Sequence, residues 1–286
     1  LFTTKVAHES SSRDGATTKL IVELEDGHRV EACVMRHAKG RTTLCVSSQV
    51  GCKMGCTFCA TGTLGELGNL SAGEICEQLA HASRGDAVRN VVFMGMGEPM
   101  ANLTPVWKSV ERIHGDIGLS ARHITISTVG LIPGIRALKD LPLPVNLAVS
   151  LHAANDELRT EIVPINKRYP IGDLIEACSD YLQVKNRRVS FEWAMIDGVN
   201  DRTSDARELA ALCRRLQPHA HVNLIPLNPT PGYPTMGTPL KKVYAFRDAL
   251  EEFGANATVR QNRGTDIDAA CGQLAAGQPV TITPKV

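Results

Sequence analysis

Four of the nine cysteines in this chain fall in one short stretch, CVSSQVGCKMGCTFCATG, residues 45 to 62. Cys52, Cys56 and Cys59 stand in C-x3-C-x2-C spacing directly after the apolar run TTLCVSS, which reads as the first core strand, inside a glycine-containing loop that can curl three thiolates around a metal centre. A [4Fe-4S] cluster bound by three cysteines keeps one iron without a protein ligand, free to take the amino and carboxylate groups of a small molecule. Zinc is the metal alternative, but it is usually held by paired C-x2-C ligands or by C-x2-C with histidines, and His37 and His81 have no matching spacing. The bland reading is three unliganded core cysteines, which polar, glycine-rich surroundings suit less well than ligation. Cys45 stands outside this set of three.

Other polar residues sit at the ends of apolar runs. VVFMGMGEPM ends in Gly97-Glu98-Pro99, where glycine admits a ligand close to the backbone and a carboxylate can accept hydrogen bonds from an ammonium group. Ser127 closes HITIST, and Ser150, Leu151 and His152 close VNLAVSL, so hydroxyls and imidazole emerge together if these runs are parallel strands. Asn228 follows another run in NLIPLNP, and Cys271 stands alone in DIDAACGQLA. Each has a plain alternative, as a turn, a cap or a small buried hydrophobe. Cys33, Cys76, Cys178 and Cys213 have no partner spacing and read as packing residues.

The elements that must carry these residues follow from periodicity. TTKLIVELEDGHRVEACVMR gives two β-rich runs around an Asp-Gly turn, an N-terminal hairpin. From residue 42 onward, TTLCVSS, NVVFMGMG, HITIST, VNLAVSL, RVSFEWAMI and HVNLIPL alternate with segments whose apolar positions recur at helical spacing. Such alternation predicts parallel strands with right-handed crossovers: an α/β fold, a partial (βα)6 barrel with an N-terminal β-hairpin extension. The extension is expected over residues 1–41 and the core over 42–286, with one short strand, ATVR, and a turn-rich segment last.

Composition adds bounds. At 286 residues and 43% hydrophobic content the chain can bury one sizeable core, and a net charge of +1 neither requires nor excludes a nucleic-acid partner. No apolar run reaches the ~18 residues of a membrane span, so no membrane partner is expected. Nine cysteines suggest metal or catalytic chemistry in a reducing compartment, the cytoplasm, or an organelle if a transit peptide is missing. Leu1 in place of Met suggests a trimmed or partial chain.

The strand, the C-x3-C-x2-C loop with Phe58 before its third cysteine, and the six α/β units together resemble the radical S-adenosylmethionine superfamily. More closely, TLCVSSQVGCKMGCTFCATG, FMGMGEP, AVSLHAAND, NLIPLNP and RGTDIDAACGQLA resemble, in order, the RlmN/Cfr group of RNA adenine methyltransferases, the RlmN branch being the better fit. The resemblance implies a [4Fe-4S] cluster on Cys52, Cys56 and Cys59. Two molecules of S-adenosylmethionine would be used per turnover, held by Gly97, Glu98, Ser127, Ser150, Leu151, His152 and Asn228. It further implies that Cys271 carries a methyl group taken from the first molecule and activated by the second, that Cys45 releases the product through a transient disulfide with Cys271, and that Glu31 removes the C2 proton. One extra residue separates Glu31 from Cys45 compared with the group's usual pattern. The implied partners are large-subunit rRNA, tRNA as a further substrate, and a flavodoxin or ferredoxin as reductant, with the protein a monomer. C8 methylation, as in the Cfr branch, uses the same cysteines and stays open, as does a non-catalytic RNA-binding or assembly role. Gly68 stands where the group carries an arginine.

Overall fold

The computed structural model describes residues 2–38, 40–216, 220–230 and 233–275. Three antiparallel strands open the chain: β1 (Lys5–Ser11), β2 (Thr17–Glu23) and β3 (Arg29–Arg36). The Asp26-Gly27 turn joins β2 to β3 as its sequence requires, with Gly27 at φ +85°. The predicted hairpin is therefore a three-stranded meander. Its first strand, KVAHESS, is largely exposed and lacks the apolar alternation that would have announced it.

This meander continues into the next strand. β3 pairs antiparallel with β4 (Thr42–Cys45), which places Cys33 directly opposite Cys45. A small two-stranded sheet follows, β5 (Gln49–Cys52) against β6 (Gly65–Asn69), with the short helix α1 (Ala60–Thr63) between them. The cysteine loop is thus presented by β5 and α1, where the sequence predicts that it leaves β4 directly. Gly51 is required here: a Cβ at φ +71° would lie 1.9 Å from the Gly65 carbonyl oxygen.

The chain then alternates: α2 (Ala72–Ala82), β7 (Val88–Phe93), α3 (Leu103–Gly115), β8 (Ile124–Thr128), α4 (Ile132–Asp140) and β9 (Asn146–Ser150). After these come α5 (Asp156–Ile162), α6 (Ile171–Lys185), β10 (Val189–Met195), α7 (Thr203–Arg214), β11 (Ala220–Pro226), α8 (Leu240–Glu252) and β12 (Ala257–Val259). All six core strands expected from the sequence form, in the expected order. They pair in parallel as β4-β7-β8-β9-β10-β11, and β12 adds a further parallel strand, so one ten-stranded sheet runs from β1 to β12.

Parallel strands covered by helices read as near-continuous apolar runs. Leu147, Ala148 and Val149 of β9, and Phe191, Trp193 and Met195 of β10, are fully buried. Each large apolar side chain removed from water in this way contributes about 1.5–3 kcal/mol, which offsets much of the entropy of ordering the chain. No helix among the described residues is long and apolar enough to cross a membrane.

The segment after β12 returns toward the first strands. Arg263 Nη1 donates to the Arg36 carbonyl at 3.0 Å, Lys19 Nζ donates to the Asp268 carbonyl at 3.3 Å, and the Arg13 amide donates to Asp266 Oδ2 at 2.9 Å. These contacts carry Cys271 across the mouth of the sheet. Residues 276–286 of the expected core lie outside the described residues.

Candidate active site

One cavity of about 210 Å³ opens at the C-terminal ends of the parallel strands, where chemistry is expected in such folds. Its walls hold Cys52, Cys56, Cys59, Gly97, Glu98, Ser127, Ser150, His152, Asn228, Cys45 and Cys271. Residues 226 positions apart in sequence, Cys45 and Cys271, therefore share one chamber.

The cysteine loop sits on its own apolar base. Met54, Cys56 and Phe58 pack with Ala153, Ile162, Val163, Ala194 and Ile196, and the Thr57 amide donates to the Ile162 carbonyl at 3.1 Å. Burial pushes the Cys52 thiol up to about 12 and raises Cys56 and Cys59 as well. Backbone amides near Cys52 and Cys59 act in the opposite direction and favour the thiolates. Among the described residues, no group of three His, Cys, Asp or Glu side chains converges to hold a single metal ion. Cys52, Cys56 and Cys59 line one cavity together, a soft three-thiolate donor set of the kind that suits an iron–sulfur cluster.

Glu98 closes β7's loop in a tight setting. Gly97 has φ +98°, and a Cβ there would come within 2.5 Å of the Gln49 Cβ, so only glycine lets this loop lie against β5. Gln49 Oε1 accepts from the Glu98 amide at 2.7 Å, while the Glu98 carboxylate accepts from the Met100 amide at 3.0 Å and the Val129 amide at 2.9 Å. Burial nevertheless raises its pKa to about 7. An ammonium group bound to Glu98 favours the ionised form, so below pH ~7 such binding must first expel a proton. Affinity of the reconstituted protein for S-adenosylmethionine should fall by up to about tenfold per pH unit below 7 and stay level just above it, measured by anaerobic calorimetry. A flat profile from pH 5.5 to 8 would remove Glu98 from ammonium binding.

His152 occupies the left-handed region at φ +61°, rare outside glycine and worth about 1–3 kcal/mol of strain. The strain is held in place: Nδ1 accepts from the Ala194 amide at 3.0 Å, the His152 carbonyl accepts from Asn200 Nδ2 at 2.8 Å, and the ring lies edge-on to Phe58 at 4.8 Å. Burial pushes its pKa down to about 3, with Arg159 acting in the same direction. The ring is neutral, and with Nδ1 accepting, Nε2 carries the proton and can only donate. Leu151 is placed differently from its neighbours: its side chain is fully buried in the main core and does not line the cavity.

Asn228 links the cavity to Cys271. Its Nδ2 donates to the Cys271 carbonyl at 3.0 Å, while its Oδ1 is buried without a hydrogen-bond partner among the described residues, an acceptor available to a ligand. The Cys271 loop docks onto the cysteine loop, the Ala60 amide donating to the Gly272 carbonyl at 2.8 Å and Thr61 Oγ1 to the Leu274 carbonyl at 2.6 Å. Cys271 is exposed as a residue, yet crowding around its sulfur raises the thiol above its usual range. Cys45 is buried and pushed up to about 12. Glu31 is buried on β3, ion-paired with Lys19 at 3.6 Å, and is not among the cavity-lining residues.

Several lining residues carry no obvious motif in the sequence. Glu192 is a buried carboxylate whose pKa burial raises; it accepts from Asn223 Nδ2 at 2.8 Å and Ser190 Oγ at 3.0 Å. A signal for it exists, since a charged residue inside VSFEWAM breaks an otherwise apolar strand. Cys33, whose spacing suggests a packing residue, is buried but lines the cavity beside Cys45 and Cys271. Arg260 and Arg263 bring positive charge to its mouth.

A parallel α/β sheet with a three-thiol loop at its strand ends defines a class, and comparison with known proteins agrees: residues 46–210 match the radical SAM superfamily model, to which the chain belongs. Its curated relatives define the family within that class. It is 49% identical over 267 residues to the probable dual-specificity RNA methyltransferase RlmN of Desulforamulus reducens, covering 92% of this chain and 75% of that one. It is 48% identical over 276 residues to the dual-specificity RNA methyltransferase RlmN 1 of Myxococcus xanthus, covering 94% and 76%. The crystal structure of a radical SAM methyltransferase from Sphaerobacter thermophilus superposes with a TM-score of 0.93 at 47% identity, covering 96% of this chain and 82% of that one. The chain belongs to the RlmN family.

Proposed function

We propose that this protein methylates C2 of an adenosine in large-subunit rRNA and in tRNA, as an RlmN-type radical SAM methyltransferase. The observation that carries this reading is the single cavity shared by Cys271, Cys45 and the three cluster thiols. A [4Fe-4S] cluster on Cys52, Cys56 and Cys59 would supply one-electron reductive cleavage of a sulfonium C–S bond.

The remaining chemistry belongs to the chain's own residues. Adenine C2 is electron-poor and cannot attack a sulfonium methyl, so the methyl must first be taken by a nucleophile, for which Cys271 Sγ is suited. Glu98 and Asn228 hold the methionine and nucleoside parts of S-adenosylmethionine, together with Ser127, Ser150 and His152 as neutral donors. Leu151 takes no ligand contact in this scheme: its side chain lies in the core, its amide donates to the Glu192 carbonyl at 3.1 Å, and its carbonyl accepts from the Ala153 amide and Arg159 Nε. The alkyl radical released by that cleavage would take one hydrogen atom from the Cys271 S-methyl, the methylene carbon would bond to C2, and the adduct would give up one electron. The base implied for the C2 proton is Glu31, which sits on β3 behind the cavity wall, ion-paired with Lys19, and would act from there. Cys45 Sγ then attacks Cys271 Sγ. The S–C electron pair passes to carbon, which gains a proton and becomes the product methyl, and a Cys45–Cys271 disulfide remains.

A flavodoxin or ferredoxin supplies electrons, and the protein acts as a cytoplasmic monomer with residues 1–41 serving as an extension of the 42–286 core. Anaerobic reconstitution with iron and sulfide, followed by incubation with rRNA, tests the assignment. The Cys271 peptide should gain the mass of a methyl group, and nucleoside chromatography should give 2-methyladenosine. An 8-methyladenosine product would reassign the regiochemistry, and an unmodified Cys271 with unmodified RNA would overturn the reading.

A further inference from the structure

The cavity holds a thiol for which the proposed reaction has no use. Cys33 is buried, lines the cavity, and lies directly opposite Cys45 in the antiparallel register of β3 and β4. Residues opposed in this way have Cα atoms about 4.5–5.5 Å apart, inside the range of about 4.4–6.8 Å that a disulfide spans. Cys33 Sγ also contacts the Ala269 carbonyl at 3.5 Å, two residues before Cys271. Three thiols, Cys33, Cys45 and Cys271, therefore meet in one place, the first two on paired strands and the third on a loop.

We propose that Cys33 is a third redox-active thiol of this site, which takes Cys45 out of the Cys45–Cys271 disulfide left by each turnover. The proposal rests on the roles given above to Cys45 and Cys271. In the exchange, the Cys33 thiolate attacks Cys45 Sγ, a Cys33–Cys45 bond forms, the Cys45–Cys271 bond breaks, and its electron pair leaves on Cys271, which picks up a proton. No net oxidation or reduction occurs. A dithiol reductant later restores Cys33 and Cys45 together.

Geometry favours the exchange. The sheet holds Cys33 opposite Cys45 whatever the Cys271 loop does, which gives the pair a high effective concentration, whereas Cys271 is exposed and carried on a loop. Burial raises the Cys33 thiol well above its ordinary range while Lys19, opposite it on β2, pulls in the other direction, so Cys33 rests as a thiol whose proton leaves as it attacks and is taken up by the departing Cys271 sulfur. The consequence is that Cys271 becomes free to accept its next methyl group before any external thiol arrives.

The holoenzyme is allowed one turnover with a flavodoxin electron donor and no thiol reductant, then given fresh S-adenosylmethionine, acid-quenched, alkylated and mapped by peptide mass spectrometry. Wild type should show Cys33–Cys45 linked peptides and re-methylated Cys271. Cys33→Val should stop at Cys45–Cys271, with about tenfold less re-methylation, and its first turnover should be far less affected than later ones, whereas a packing defect would slow both alike. Mapping the unmodified protein needs no variant, so a folding defect in Cys33→Val cannot hide the answer. Cys45–Cys271 as the sole linkage, with Cys33 alkylated, would overturn the relay and leave the assigned roles intact. Absence of any Cys45 disulfide would overturn both.

Discussion

Replacing Cys45 with alanine should stop the reaction after carbon–carbon bond formation and leave RNA covalently attached to Cys271. Cys45 is buried at the end of β4 and lines the same cavity as Cys271, so its sulfur is placed to attack a Cys271 thioether without the loop leaving its site on the cysteine loop. In the proposed reaction every earlier step falls to other residues, and the hydrogen bonds around Glu98 and Cys271 do not involve the Cys45 sulfur. Alanine deletes one buried sulfur from the core, a small cavity that costs about 1–2 kcal/mol and leaves the fold intact. Free methylated product should fall by at least about 100-fold, the usual scale for losing a group that acts only in one step. A ribonuclease-sensitive band of retarded mobility should appear in denaturing gels. Wild-type product yield from Cys45→Ala would sink the resolving role.

Much of this site is legible in the sequence, for identifiable reasons. The C-x3-C-x2-C loop is local, and alternating apolar runs fix which residues end strands, so periodicity alone places Glu98, Ser127, Ser150 and His152 on one face. Pairing is not local. Nothing in KVAHESS marks β1, because an edge strand with mostly exposed side chains carries little apolar signal. Nothing in GELGN announces that β6 pairs with β5 and so moves the cysteine loop off β4. Cys33 cannot be told from a packing residue by spacing, since its significance lies in the register that sets it opposite Cys45. Leu151 shows the converse: a strand-end position implied to contact a ligand has its side chain turned into the core.

Arg159 is also silent in the sequence, and its loss should have the largest effect on stability. It lies on α5, with a fully buried side chain that ends in a guanidinium whose four hydrogen bonds all go to neutral oxygens. Nε donates to the Leu151 carbonyl at 3.1 Å, Nη1 to Asn166 Oδ1 at 2.8 Å, and Nη2 to the Val129 and Ser150 carbonyls at 2.6 and 3.3 Å. Burial lowers its pKa only to about 10, so it stays charged at neutral pH. One planar fork therefore ties the ends of β8 and β9 together, and the Val129 it fixes donates its own amide to Glu98 at 2.9 Å. Arg159→Met keeps the apolar stem and deletes the donors. Each buried acceptor left without a partner costs about 1–3 kcal/mol, partly offset because no cation need be desolvated on folding. A net loss of about 3 kcal/mol, or a fall of roughly 6–12 °C in Tm, is expected by calorimetry. Affinity for S-adenosylmethionine should weaken with it, since the Glu98 carboxylate loses the support of an ordered Val129. Arg159→Lys keeps the charge but cannot span four acceptors, and should recover only part of either loss. A Tm within about 2 °C of wild type for Arg159→Met would mean that water replaces the guanidinium at no cost, and that these strand ends are held by the sheet alone.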